Sequence, residues 1–284
     1  MNYKGSAKFD VILFFLMSVF WALNYPLLKI ALLYESPMLT LLFRLLFGAI
    51  FSIPFAIGTL SLFRSIGVRN LFIMSLLNVS MFMGLWFIGE RTEPASISSV
   101  IVYTYPIISV LLSAAFLREN LSFFKIMSIT VGFVGIVLIF LDQLYVGYNI
   151  GLFLLMASAI SWSVGTVFYK RYLHNADLGT VNLFQFVFAL PIILVLAMID
   201  GGFRPITLPF FLITLYMGSF GSSVAYFIYW SLVRKYRVSH ISPYLFSVPA
   251  LSIFFSILIT GEKPSIPTII GFIFVAVGIF LSTK

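Results

Sequence analysis

Ten apolar stretches follow one another along this chain, near residues 10–33, 38–58, 70–89, 95–117, 123–141, 150–169, 180–199, 208–231, 238–260 and 266–282. A helix needs about 20 residues to cross the hydrocarbon of a bilayer. No connection between the stretches is long enough to fold as a catalytic domain of its own. Composition agrees. Only 9% of the 284 residues are charged and 61% are hydrophobic, with a mean hydropathy of +1.11, whereas a soluble domain carries roughly a quarter charged residues. The expected fold class is an all-α integral membrane protein with ten transmembrane helices. The opening residues, MNYKGSAKFDVILFF, have the lysine-then-apolar look of a signal peptide. No small-x-small cleavage site closes them before the next polar loop, so they read as a retained first helix. The chain contains no cysteine, which excludes disulfides and thiolate metal sites.

The basic residues set an expected orientation. With the N-terminus inside, Lys4, Lys8, Arg64, Arg69, Arg118, Lys125, Lys170, Arg171, Arg234, Lys235, Arg237 and Lys284 fall in cytoplasmic segments. Only Lys29, Arg91, Arg204 and Lys263 fall outside. An excess of this kind directs loops to the cytoplasm, so both termini are expected there, in the plasma membrane. The net charge of +8 is then a topology signal. It is scattered over several short loops instead of forming one basic patch, and no nucleic-acid partner is expected.

The chain repeats itself. Residues 106–119 read PIISVLLSAAFLRE and residues 249–262 read PALSIFFSILITGE, a separation of 143 (249 − 106). Ser109 matches Ser252 and Ser113 matches Ser256 at that spacing, as do Ser96 and Ser239, Ser99 and Ser242, Ser122 and Ser265, and Gly135 and Gly278. Trp21 to Lys29 (WALNYPLLK) resembles Trp162 to Lys170 (WSVGTVFYK). Residues 1–141 and 142–284 are therefore expected to be two five-helix repeats. Five is odd, so the second enters the membrane from the opposite side, an inverted repeat of the sort found in secondary transporters.

The Trp in the first stretch, the Arg in the second (FRLLFGA), the Pro and Glu framing the fourth and the Gly-containing fifth, a pattern doubled except for the Arg, resemble the EamA-like branch of the drug/metabolite transporter superfamily. The resemblance covers nearly the whole chain. It implies ten helices around a central cavity, with the fifth and tenth at the periphery. It further implies export of small metabolites such as amino acids; related families carry nucleotide sugars and sugar phosphates.

Several residues are candidates for a solute site. Arg44 is the one charge well inside a predicted span, and an ionisable group there is by default a functional candidate. Two roles fit it: binding a substrate carboxylate, or pairing with helix-end carbonyls or snorkelling outward. Gln185 holds the equivalent place in the second half. Trp21 and Asn24 share a helix face one turn apart, and Trp162 and Thr166 repeat that face, so the four read as two walls of a cavity. Asn78, Tyr103, Tyr226 and Tyr244 are further polar candidates facing the interior. Pro26, Pro106 and Pro249 are candidate gating kinks or fixed bends. The serines and glycines have a plainer role as close helix-packing residues. Glu119 and Glu262 are expected to cap the start of the next helix in ENLSFF and EKPSIP. All nine acidic residues map to span edges or loops, so nothing demands proton coupling.

No GxxxxGK[ST] loop supports ATP drive. No HExxH, cysteine cluster or pair of intramembrane carboxylates supplies an enzyme's apparatus. No metal or other cofactor is expected. The expected partners are a small-molecule substrate and membrane lipid, with monomer and homodimer both open. Two rival readings are weaker. A membrane-embedded lipid enzyme needs acid/base or metal residues that are missing, and a scaffold has no need of symmetry about the membrane plane. Within transport, uptake and carriage of drugs or sugar phosphates stand beside export.

Overall fold

The computed structural model describes residues 7–120, 122–146, 150–201 and 205–282. Lys4, Arg204 and Lys284 of the charge count lie outside them. The described residues form helical rods and no strand. The rods are α1 (Ala7–Ala31), α2 (Pro37–Ala56), α3 (Val68–Thr92), α4 (Ala95–Leu117), α5 (Phe123–Val146), α6 (Ile150–Leu173), α7 (Leu178–Ile199), α8 (Leu208–Lys235), α9 (Val238–Thr260) and α10 (Ile266–Ser282). Eight of them, α1–α4 and α6–α9, are long and apolar enough to cross a membrane. The other two carry shorter apolar parts, Phe123–Gly135 in α5 and Ile266–Gly278 in α10. Short helical turns at Leu60–Leu62 and Phe63–Ile66 lie between α2 and α3.

Four rods are interrupted, in matching pairs. α3 loosens into a π-helical turn at Leu76–Met81, and α8 does the same at Ser219–Val224. The spacing is again 143 (219 − 76). α4 breaks at Tyr103 and Thr104, between Ala95–Val102 and Tyr105–Leu117. α9 tightens to a 3₁₀ turn over Ser242–Phe246. The three prolines fall differently around these breaks. Pro106 opens the second half of α4, where the missing N–H has no intrahelical partner to lose. Pro249 lies in the first turn of Ser247–Thr260. Pro26 sits inside the uninterrupted α1.

Helix ends in hydrocarbon must find partners for their free N–H and C=O groups. Here they find them across the two halves. Glu262, just beyond α9, accepts from the backbone N–H of Ala95 (2.8 Å) and Ser96 (2.9 Å) at the start of α4. Glu119, just beyond α4, accepts from Val238 (3.2 Å) and Ser239 (3.1 Å) at the start of α9. The sequence reading is corrected here: both glutamates accept from helix starts in the other half, α9 and α4. Because α4 and α9 run antiparallel side by side, that start lies within reach of each glutamate.

Lysines serve the carboxyl ends. Lys29 of α1 donates to the carbonyls of Glu90 (2.9 Å), Arg91 (3.3 Å) and Glu93 (2.7 Å) at the end of α3. Lys170 of α6 donates to those of Val233 (2.6 Å), Arg234 (3.2 Å) and Tyr236 (2.9 Å) at the end of α8. The six carbonyls are equivalent in threes at a spacing of 143. A third exchange joins α2 and α7. Asp200, after α7, accepts from Met38 N at the start of α2 (2.9 Å). Asp177, the N-cap of α7, accepts from Thr180 N (2.7 Å) and from the Thr59 hydroxyl after α2 (2.6 Å).

Partial burial pushes the Asp177 carboxyl up. The hydrogen bonds from Thr59 and Thr180, with the charge of Arg234, outweigh that and hold it below its ordinary value. The stabilisation is present above the unfolded carboxylate pKa of about 3.9 and is lost as pH falls through the depressed value. Asp177→Ala is expected to cost about 1 kcal/mol at neutral pH. Thermal unfolding in detergent should show the gap to the unsubstituted protein narrowing below about pH 4; a gap that does not change with pH would count against the charge.

Candidate functional site

The interruptions in α3, α4 and α8 converge on one point. A closed cavity lies there, lined by Trp21, Asn24 and Tyr25 from α1, Arg44 from α2, Phe82 and Trp86 from α3, Tyr103 and Tyr105 from α4, Trp162 from α6 and Tyr226 from α8. Every one of these residues is buried. Only about 20 Å³ of the cavity is open to the centre of a water molecule, room for about one water. The aromatic rings close on each other instead of standing apart. Trp21 and Trp162, equivalent in the two halves, meet edge to face at 5.8 Å, and Tyr226 packs on both, at 5.8 and 5.2 Å. Tyr25 packs on Trp86 at 4.7 Å, and Tyr103 on Tyr105 at 5.0 Å.

Arg44 is the charge inside this cage, 1% exposed. Its Nε donates to the Ser222 hydroxyl (2.8 Å) and its Nη2 to the Gly221 carbonyl (3.2 Å), both in the π-helical turn of α8. A π-helical turn leaves carbonyls out of the regular ladder, and Arg44 takes one of them. Its guanidinium also lies over the rings of Trp86 (5.2 Å) and Phe87 (5.6 Å). Removing a charge from water costs several kcal/mol. Two hydrogen bonds from a charged donor, roughly 1.5–3 kcal/mol each, and two desolvated cation–π contacts of about 2 kcal/mol offset that cost. The third nitrogen, Nη1, is buried with no protein partner among the described residues. The same holds for both amide atoms of Asn24 and the hydroxyl of Tyr226. The Trp162 indole N–H and the Tyr105 hydroxyl are equally without a partner among the described residues, so the cage presents three N–H donors, an amide oxygen and two hydroxyls.

The π-helical turns also seat two asparagines in mirrored positions. Asn24 of α1 packs on Gly221 of α8, and Asn78 of α3 packs on Gly165 of α6. Asn24 is equivalent to Gly165, and Asn78 to Gly221. One contact is therefore the other with its partners exchanged. A Cβ on either glycine would overlap the asparagine amide.

The sequence candidates divide accordingly. Trp21, Asn24, Arg44, Tyr103, Trp162 and Tyr226 are brought together in the cage. Four do not line it. Asn78 donates to the Trp162 carbonyl (3.3 Å) below the ring. Thr166 is bonded to the Tyr229 hydroxyl (3.2 Å). Gln185 donates to Asn182 Oδ1 (3.0 Å) and accepts from the Trp230 indole (3.2 Å). Tyr244 is 42% exposed and rests on Phe14 and His240. The two expected walls are not equal: Trp21 and Asn24 both line the cavity, while of Trp162 and Thr166 only Trp162 does, Thr166 being bonded to Tyr229.

Tyr25, Phe82, Trp86 and Tyr105 line the cage without having been singled out from the sequence. Asn78, Phe82, Trp86 and Glu90 follow one another at four-residue steps in α3, and that spacing was the available signal. Glu90, read as a span edge, is fully buried at the end of this series and accepts from the Trp86 indole N–H.

The model of the EamA-like transporter family matches the chain twice, over residues 8–141 and 149–284. The chain belongs to the EamA-like transporter family. It is 28% identical to the uncharacterized transporter YvbV of Bacillus subtilis (strain 168) over 267 residues, 93% of this chain and 88% of that one. It is 24% identical to the uncharacterized transporter YoaV of the same organism, over 94% of each. A solved crystal structure, 18% identical, aligns with a TM-score of 0.75 over 98% of this chain and 97% of its own, a likeness of fold. This EamA-like transporter therefore places Arg44, the one fully buried arginine among the described residues, in an aromatic cage at the meeting point of both halves.

The mirrored asparagine–glycine contacts are testable. Gly165→Ala is expected to destabilise by about 1–3 kcal/mol through overpacking, and Asn78→Ala in the same chain should recover most of it. Thermal unfolding of the two variants in detergent decides; an equal loss with and without Asn78 would refute the contact.

Proposed function

We propose that the chain is a secondary transporter for small amphipathic solutes that carry a carboxylate and an apolar or aromatic body, amino acids foremost, moved by alternating access. The observation that carries this is the free Nη1 of Arg44 inside the ring of Trp and Tyr faces. A guanidinium with one edge held by protein and one edge free is suited to a carboxylate oxygen. Tyr and Trp faces suit a flat apolar body, and Asn24 with Tyr226 supplies acceptors for an ammonium group. The cage is smaller than any such solute, so the rings must part to admit one. That fits a closed state between two open ones.

We assign both termini to the cytoplasmic side of the plasma membrane, on the excess of basic residues along the face where α1 begins, and take export, which the family resemblance implies, as the direction. The fold itself works in either direction, and the solute gradient decides.

Counterflow uptake in proteoliposomes tests the reading, using radiolabelled aromatic and apolar amino acids. Uptake is expected. Arg44→Gln should weaken apparent affinity by about 10–100-fold, since a buried carboxylate would lose its charged partner. Trp162→Ala should lower uptake of aromatic more than of aliphatic cargo. If no carboxylate-bearing solute exchanges, the reading fails. If Arg44→Gln transports normally, the assignment of Arg44 fails alone.

A further inference from the structure

The doubled Pro-to-Glu phrase has a consequence for how the cage opens. The next-to-last residue of the phrase has positive φ each time, Arg118 (56°) and Gly261 (69°), which stops the helix and turns the chain back. The glutamate that follows is thereby aimed at the neighbouring rod. Glu119 is further held by Ser113, whose hydroxyl donates to Oε2 (3.4 Å) and whose carbonyl accepts from Glu119 N (3.4 Å).

Two kinds of tie meet at each end of the bundle. At the far face, opposite the start of α1, the α3–α4 turn is held by Lys29 and by Glu262. At the near face the α8–α9 turn is held by Lys170 and by Glu119. Each lysine joins rods of its own half: α1 to α3, or α6 to α8. Each glutamate joins rods of opposite halves: α9 to α4, or α4 to α9. When α4 and α9 part at one face, the glutamate tie at that face must break, whereas the lysine tie, which joins neither α4 nor α9 to the other, can persist.

The geometry points to Glu119 and Glu262 as the two gate latches of the transport cycle, one for each face. Opening the far face releases the Ala95 and Ser96 N–H groups from Glu262 while Glu119 stays engaged. Opening the near face releases Val238 and Ser239 from Glu119 while Glu262 stays engaged. Both are engaged in the present structure, and the cage between them is closed. The near face has further ties. Asp10 of α1 pairs with Lys235 and accepts from the Tyr236 hydroxyl (2.6 Å), and Lys125 of α5 donates to the Ser239 hydroxyl (2.8 Å). At the far face the position equivalent to Asp10 is Gly151, which packs against Gly89, Thr92 and Glu93.

This inference rests on the alternating-access reading, and its test needs no substrate. The chain has no cysteine, so introduced pairs label cleanly. Arg91→Cys with Lys263→Cys spans the far face, and Asn120→Cys with Arg237→Cys spans the near face; all four residues are exposed. Spin-label distances are measured in lipid nanodiscs. Glu262→Ala is expected to lengthen the far-face distance by more than about 2 Å, the scale of a domain rearrangement, and leave the near-face distance unchanged. Glu119→Ala should do the reverse. Should an alanine variant fail to fold, Glu262→Gln and Glu119→Gln keep an acceptor oxygen and remove the charge, with the same direction of change expected. If neither substitution moves either pair, or if one substitution loosens both faces, the glutamates are fixed helix caps and the latch is overturned. The counterflow result stands or falls separately, because it does not depend on which residue holds a face shut.

Discussion

Helix ends in a bilayer govern this structure. A free backbone N–H or C=O in hydrocarbon costs several kcal/mol, and a bundle of short-looped rods has many of them. The chain meets this with side chains from neighbouring rods: two glutamates over helix starts, two lysines over helix ends, and Asp177 with Asp200 on α7 and α2. The glutamate and Asp200 ties cross from one half to the other. The antiparallel pair brings the start of α4 beside the end of α9 and the start of α9 beside the end of α4, so one glutamate, written twice, serves both faces. The duplicated phrase is a consequence of that economy of contacts.

The same symmetry is broken where the chemistry sits. Arg44 and Gln185 hold equivalent places, yet one is a charge with a free nitrogen and the other a neutral amide satisfied by Asn182 and Trp230. Asn24 and Gly165 are likewise equivalent and opposite in size. The frame is symmetric, and an asymmetric centre gives the cage one charged wall. The π-helical turns at Leu76–Met81 and Ser219–Val224 mark where frame and centre meet. The α8 turn holds Arg44 through Ser222 and Gly221, and both turns seat an asparagine–glycine contact.

Glu90 illustrates how burial alters a reading. Its place at the end of an apolar stretch suggested a solvated edge. Lys29 of α1 and Trp86 of α3 instead enclose it. A span edge in one rod is interior when the adjacent rods extend past it, and a single stretch of sequence carries no information on how far its neighbours extend.

The sequence by itself determined the membrane class, the run of apolar rods and the duplication, because these rest on composition and repetition, and it pointed to the family through the resemblance of a few placed residues. It also marked Trp21, Asn24, Arg44, Tyr103, Trp162 and Tyr226, since polar and aromatic residues deep in apolar stretches stand out. Only the tertiary structure decided that Trp21 and Trp162 touch instead of facing each other across a cavity, that Gln185 and Thr166 are already satisfied, and that Glu119 and Glu262 cap rods in the opposite half. Those outcomes depend on which helices lie side by side and at what height. That is fixed by packing and by the pairing of distant backbone ends, contacts between residues more than a hundred positions apart that no local period records.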